Sequence, residues 1–112
     1  MIQVQLSKLA QQDLKDIWRG LAEYQLKLAG KQLKRLEKKI ALLKQFPLAG
    51  RQRDDIDSVI RSVNVDRFVV FYQVHQQDND SIVEILRVTD GRRDLNRLFS
   101  SDDEDLPDSE EG

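Results

Sequence analysis

Five arginines and one tyrosine in the second half of the chain are the residues best suited to chemistry: Arg61, Arg67, Tyr72, Arg87, Arg92 and Arg93. An apolar run, Ile82-Val83-Glu84-Ile85-Leu86-Arg87-Val88, empties into the basic loop Asp90-Gly91-Arg92-Arg93-Asp94. A guanidinium is a rigid fork of N–H donors that grips carboxylate or phosphate through two bonds at once. Several of them beside a phenol could bind a backbone phosphate, stabilise a developing charge or dock a partner protein. Strand periodicity can place Arg61 and Arg87 on the sheet face away from the helices, with the loop arginines near a strand end. Asp66, Glu84, Asp90 and Asp94 are also close in sequence, and ion pairs with them would merely tie loops down. The sequence leaves both uses open.

Other chemistry is poorly supplied. The chain has no cysteine, which excludes disulfides and thiolate metal sites, and its one histidine, His75, has no sequence-near nucleophile. Asp54-Asp55 and Asp102-Asp103 lie in a loop and a tail, where nothing fixes their carboxylates for acid–base work. No phosphate-cradling glycine loop or metal motif occurs, so neither cofactor nor metal is expected. Trp18 and Tyr24 fall on an apolar helical stripe and are expected in the core rather than stacked on bases.

At 112 residues the chain is sized for one domain with one modest core. Its net charge of −2 hides a division. Residues 102–112 carry seven acids and no base, whereas the other 101 residues hold 18 bases and 13 acids, a surplus of five positive charges. A basic body points to an anionic partner surface, or simply to a solvated exterior with a solubilising tail. No apolar run reaches membrane-spanning length and the start lacks the pattern of a signal peptide, so a cytoplasmic protein is expected.

These residues must be held by a scaffold, and the pattern describes one. Residues 2–6 alternate as a strand with one buried face. Ser7 is a good helix N-cap, followed by an apolar stripe from Ala10 through Leu14, Ile17, Trp18 and Leu21 to Leu28, a helix over about 8–28. Gly30 is expected to interrupt it. A second helix then carries Leu33, Leu36, Ile40 and Leu43 on one face and Lys31, Lys34, Arg35, Lys38, Lys39 and Lys44 on the others, until Pro47 stops it. Val59–Val63, Phe68–His75 and Ser81–Thr89 read as strands whose short connections make them antiparallel neighbours. The order β-α-α-β-β-β predicts an α+β domain, a helical hairpin packed on one face of an antiparallel-rich sheet. Leu14, Trp18, Leu36, Ile40, Val70 and Ile85 are the expected common core. The domain is expected to span 1–99, and 100–112 to be a disordered acidic tail.

The stripe Ala10, Leu14, Ile17, Trp18, the segment Pro47-Leu48-Ala49-Gly50-Arg51, the run Arg61–Tyr72 and the ending Ile85-Leu86-Arg87-Val88…Gly91-Arg92-Arg93-Asp94 together resemble the ParE/RelE superfamily of toxins from bacterial type II toxin–antitoxin systems, nearest the ParE branch. The resemblance covers roughly residues 2–99 and implies the same fold. It implies a toxin that inhibits DNA gyrase by binding and is neutralised by a cognate antitoxin wrapped over the helices and sheet. Operator DNA would be met only through that complex. Many ParE-like sequences carry a histidine before the glycine of the terminal loop, where this chain has Asp90; a carboxylate is a poor proton donor at neutral pH and repels RNA phosphate. The alternative is a RelE-like endoribonuclease that cuts ribosome-bound mRNA, with Arg61, Arg87 and Arg92 on phosphate and Tyr72 in proton transfer. A third is a non-toxic antitoxin-binding module.

Overall fold

The computed structural model describes residues 1–92; the expectations for 93–112, including Arg93 and the acidic tail, lie outside the described residues. The elements are β1 (Ile2–Leu6), α1 (Lys8–Tyr24), α2 (Leu26–Leu42), β2 (Arg51–Gln52), β3 (Ile60–Val65), β4 (Phe68–Gln77) and β5 (Asp80–Asp90). The sheet order is β1-β5-β4-β3-β2. The β2-β3-β4-β5 neighbours are antiparallel, and β1 adds in parallel to β5. The α+β arrangement expected from the pattern is present, with β2 as an additional two-residue edge strand.

Ser7 caps α1: its hydroxyl accepts from the Ala10 N–H at 3.0 Å and donates to the Leu86 carbonyl at 2.8 Å. One side chain thus ends a strand, starts a helix and ties both to β5. The helices meet at Gln25 rather than at Gly30. Gln25 is extended (φ −160°, ψ 118°), while Gly30 lies within α2. The core seam of α1 is Ala10, Leu14, Ile17 and Leu21; that of α2 is Ala29, Leu36, Ile40 and Leu43. In one unbroken helix at 100° per residue those seams would point about 80° apart, so the chain must break to bury both.

The seam of α1 also accounts for Trp18, which was expected inside and is 43% exposed. It lies beside the Ala10–Leu21 seam rather than on it. Leu14 packs at the core margin, and Leu36, Ile40, Val70 and Ile85 are buried together as expected. Tight turns at both ends of β4 use aspartates in the left-handed region, Asp66 (φ 56°) and Asp78 (φ 55°), which a short polar side chain tolerates. Between β4 and β5 the register slips: Phe71 faces Arg87 while Tyr72 faces Ile85, leaving Leu86 as the extra residue of a bulge.

Candidate functional site

The bulge and the end of β1 decide what Arg87 does. β1 stops opposite Ile85, so the edge of β5 beyond it needs other partners. Asp13, one turn into α1, supplies them. Its carboxylate accepts the Val88 N–H at 2.9 Å and both arms of the Arg87 guanidinium at 2.8 and 2.9 Å. Both side chains are largely buried, at 17% and 11% exposure. Arg87 was expected to stand clear on the sheet face away from the helices. Instead it clamps α1 to the sheet edge, because a partly buried guanidinium needs a carboxylate.

Arg61 also departs from that expectation. It faces Tyr72 across the β3–β4 ladder, and its neighbours along that face, Val63 and Val65, pack into the helix-side core. Its guanidinium reaches past the end of the core to the carbonyls of Gly50 at 2.8 Å and Leu48 at 3.2 Å. The Tyr72 hydroxyl, fully buried, accepts the Gly50 N–H at 2.8 Å. Burial pushes the Tyr72 phenol above its ordinary pKa, against the opposing pull of the Gly50 N–H and the Arg61 charge. A methyl group added at Gly50 would stand 2.5 Å from that hydroxyl oxygen and 2.9 Å from the Ser62 carbonyl, so the backbone approach requires glycine. Arg61, Tyr72 and Gly50 therefore lash the Phe46–Arg51 segment to the sheet, with Phe46 and Leu48 left 60% and 63% exposed at its tip.

A third cluster sits where β5 leaves the sheet. Asp90 accepts from the Arg92 guanidinium at 3.2 Å and from its backbone N–H at 3.0 Å, with Arg67 at 3.4 Å. The hydrogen bonds from Arg92 hold the Asp90 carboxyl below its ordinary range. Arg67 also lies over the Phe68 ring at 5.1 Å. Next to it, Asp66 takes the fork of Arg35 from α2 at 2.7 and 2.9 Å and is likewise held low, by Arg35 first and Gln32 second. A groove of about 570 Å³ runs between α1 and this end of the sheet, lined by Asp16, Leu21, Tyr24, Phe68 and Asp90 among others.

The four predicted arginines among the described residues thus occupy three places rather than one patch. Arg67 and Arg92 share Asp90; Arg61 with Tyr72, and Arg87, are elsewhere. His75 pairs with Glu84 at 2.8 Å. Among the described residues no group of three His, Asp or Glu side chains could hold a metal ion. Sequence reasoning missed Asp13 and Arg53. The latter is 8% exposed, bonded to Asp55 and Ser62 and set 5.3 Å over Phe71. Asp13 carried one signal, an acid directly beside the apolar seam at Leu14.

Residues 4–95 match the family model for the ParE toxin of the type II toxin–antitoxin system parDE. The chain belongs to this family. Toxin ParE3 of Caulobacter vibrioides is 36% identical over 84 residues, which cover 74% of this chain and 80% of that protein. A solved chain from the chromosomal ParDE system of P. aeruginosa superposes with a TM-score of 0.68 at 18% identity, covering 80% of this chain and 96% of its own length. That likeness bears on the fold alone. The protein is a ParE-type toxin of a type II toxin–antitoxin system. Among its described residues no helix is long and apolar enough to cross a membrane.

Proposed function

We propose that this ParE-type toxin acts in the cytoplasm by binding DNA gyrase, without proton-transfer chemistry of its own, and that a cognate antitoxin neutralises it by covering the docking surface. The observation that carries this reading is the state of Tyr72. A ribonuclease would need it as the proton-transfer group, yet its hydroxyl is buried and occupied by the Gly50 N–H. Its raised pKa makes the phenolate base still less accessible at neutral pH. Asp90, which stands where many ParE-like sequences have histidine, is held ionised by Arg92 and Arg67 and cannot donate a proton. Arg92 is exposed and linked only locally, so among Arg61, Arg67, Arg87 and Arg92 it is best able to exchange its partner for a surface of gyrase.

The test is a pair of assays on the purified protein: gyrase supercoiling with trapping of cleaved DNA, and cleavage of mRNA on translating ribosomes. Inhibition in the first and silence in the second are expected, with Arg92→Ala plus Arg93→Ala weakening inhibition while leaving the fold intact. Ribosome-dependent cleavage that disappears in Tyr72→Phe would establish the ribonuclease instead. Silence in both assays would identify a binding module kept for its antitoxin.

A further inference from the structure

The exposed face of α2 carries a row of unspent charge. Lys27, Lys31, Lys34 and Lys38 are spaced 4, 3 and 4 residues apart, which sets them on one face over about 17 Å of helix. All four are exposed, and among the described residues none of them forms an ion pair. Like charges at this spacing disfavour a helix, and Glu37, the one acid of α2, forms no ion pair with the row.

The chain's own composition supplies a complement. Residues 102–112 hold Asp102, Asp103, Glu104, Asp105, Asp108, Glu110 and Glu111 without a base. The described residues also end close to α2. The Gly91 N–H donates to the Arg67 carbonyl at 2.8 Å, and the adjacent Asp66 is clasped by Arg35, which sits on α2 between Lys34 and Lys38. Nine residues lie between Arg92 and Asp102, a tether of ten Cα steps that spans at most about 35 Å, about twice the length of the row. Tethering raises the local concentration of the acids at α2 to the order of millimolar.

We propose that the acidic segment 102–112 docks on the lysine face of α2 of its own chain and screens that face from other anionic partners. Lysine ammoniums are point charges without arginine's fixed fork, which suits a row of carboxylates in no single register. Each pair is weak, so the contact depends on their sum and on ionic strength. It stands apart from the gyrase reading, since it concerns a different face and a different ligand.

The absence of cysteine permits a single spin label on the full-length chain through Ser109→Cys. At about 0.01 M salt, where the screening length is about 30 Å, the amides of Lys27–Lys38 should lose intensity beyond all others; near 1 M, where it is about 3 Å, they should recover. Replacing the seven acids by Asn and Gln, which leaves the body untouched, should abolish the loss. Four lysine-to-glutamine changes on α2 should do the same. Attenuation centred on another face, or persisting at high salt, overturns the proposal. So does equal attenuation in a mixture of labelled unenriched and unlabelled isotope-enriched protein, which would place another copy's tail there. A third overturning result is no attenuation at low salt with the lysine amides shifting instead on added duplex DNA.

Discussion

At the ends of the sheet, Arg61, Arg67, Arg87 and Arg92 are each held by a carboxylate or by backbone carbonyls; along α2, Lys27, Lys31, Lys34 and Lys38 face solvent with no ion pair among the described residues. Both sets are basic, and both could be taken for a binding surface from sequence. The difference follows from side-chain chemistry and place. A guanidinium keeps its donors in a plane and is weakly hydrated, so it can be used where water is partly excluded, as against Asp13. An ammonium is strongly hydrated and stays on an exposed helix face. The sheet ends therefore use charge to hold the architecture, the exposed Arg92 at their margin excepted, while α2 holds charge in reserve.

The sharpest way to break that division is Arg87→Ala. It would leave the Asp13 carboxylate, 11% exposed, with only the Val88 N–H, and should cost about 3 kcal/mol in chemical unfolding. A loss of activity in this variant without a loss of stability would return Arg87 to the binding surface. Gly50→Ala comes next, at about 2–3 kcal/mol, because its new methyl meets backbone at Ser62 as well as the Tyr72 ring edge. Tyr72→Phe relieves nothing there and strands the Gly50 N–H, at about 1–2 kcal/mol. Growth arrest by Tyr72→Phe should therefore be measured well below its lowered melting temperature. Trp18→Ala, at 43% exposure, should cost about 1–2 kcal/mol rather than the loss of a fully buried ring.

The sequence made the fold legible wherever one local pattern ruled: alternation in β1, the apolar runs of β3, β4 and β5, the Ser7 cap and the seam of α2; in α1 the expected stripe took in Trp18 and Tyr24, which are 43% and 82% exposed. It was misleading where the answer lay in the relation between segments. No breaker residue marks Gln25; the sign is the change of phase between the Ala10–Leu21 and Ala29–Leu43 seams. β2 is too short, at Arg51–Gln52, for any period to register. The candidate site was legible as residue types and not as roles. Asp13 and Arg87 are 74 residues apart, and nothing near either predicts the other. Arg61 and Tyr72 were both named as candidates, but their adjacency across β3 and β4 and their joint task on Gly50 depend on a backbone approach visible only in the fold.

Acid provides a milder probe of the sheet-end pairs. Asp66 and Asp90 both have carboxyl pKa values below the ordinary range, through hydrogen bonds from Arg35 and Arg92 respectively. A carboxyl lowered on folding contributes stability above its unfolded pKa, near 4, and loses it as pH falls through the folded value. Stability should thus decline from about pH 4 downward, and both carboxyl resonances should titrate below those of ordinary aspartates. Arg35→Gln should move Asp66 upward and leave Asp90 in place, whereas a joint shift would mean that the two pairs act as one network.

The smallest effect is expected on the other side of the comparison. Changing Lys27, Lys31, Lys34 and Lys38 together to glutamine removes repulsion along α2 and, at physiological salt, little else that the folded body uses. Relief of like charges should contribute a few tenths of a kcal/mol, and loss of attraction to residues 102–112 should offset part of it. The net change in unfolding free energy should stay within about 0.5 kcal/mol of zero, as for surface positions outside any network. Circular dichroism should show an unchanged helix content, because the buried seam of Ala29, Leu36, Ile40 and Leu43 is untouched. Four simultaneous lysine changes would then cost less than the single Arg87→Ala. A destabilisation as large as that of Arg87→Ala would show that the lysines, too, are built into the architecture, and the distinction between held and reserved charge would fall.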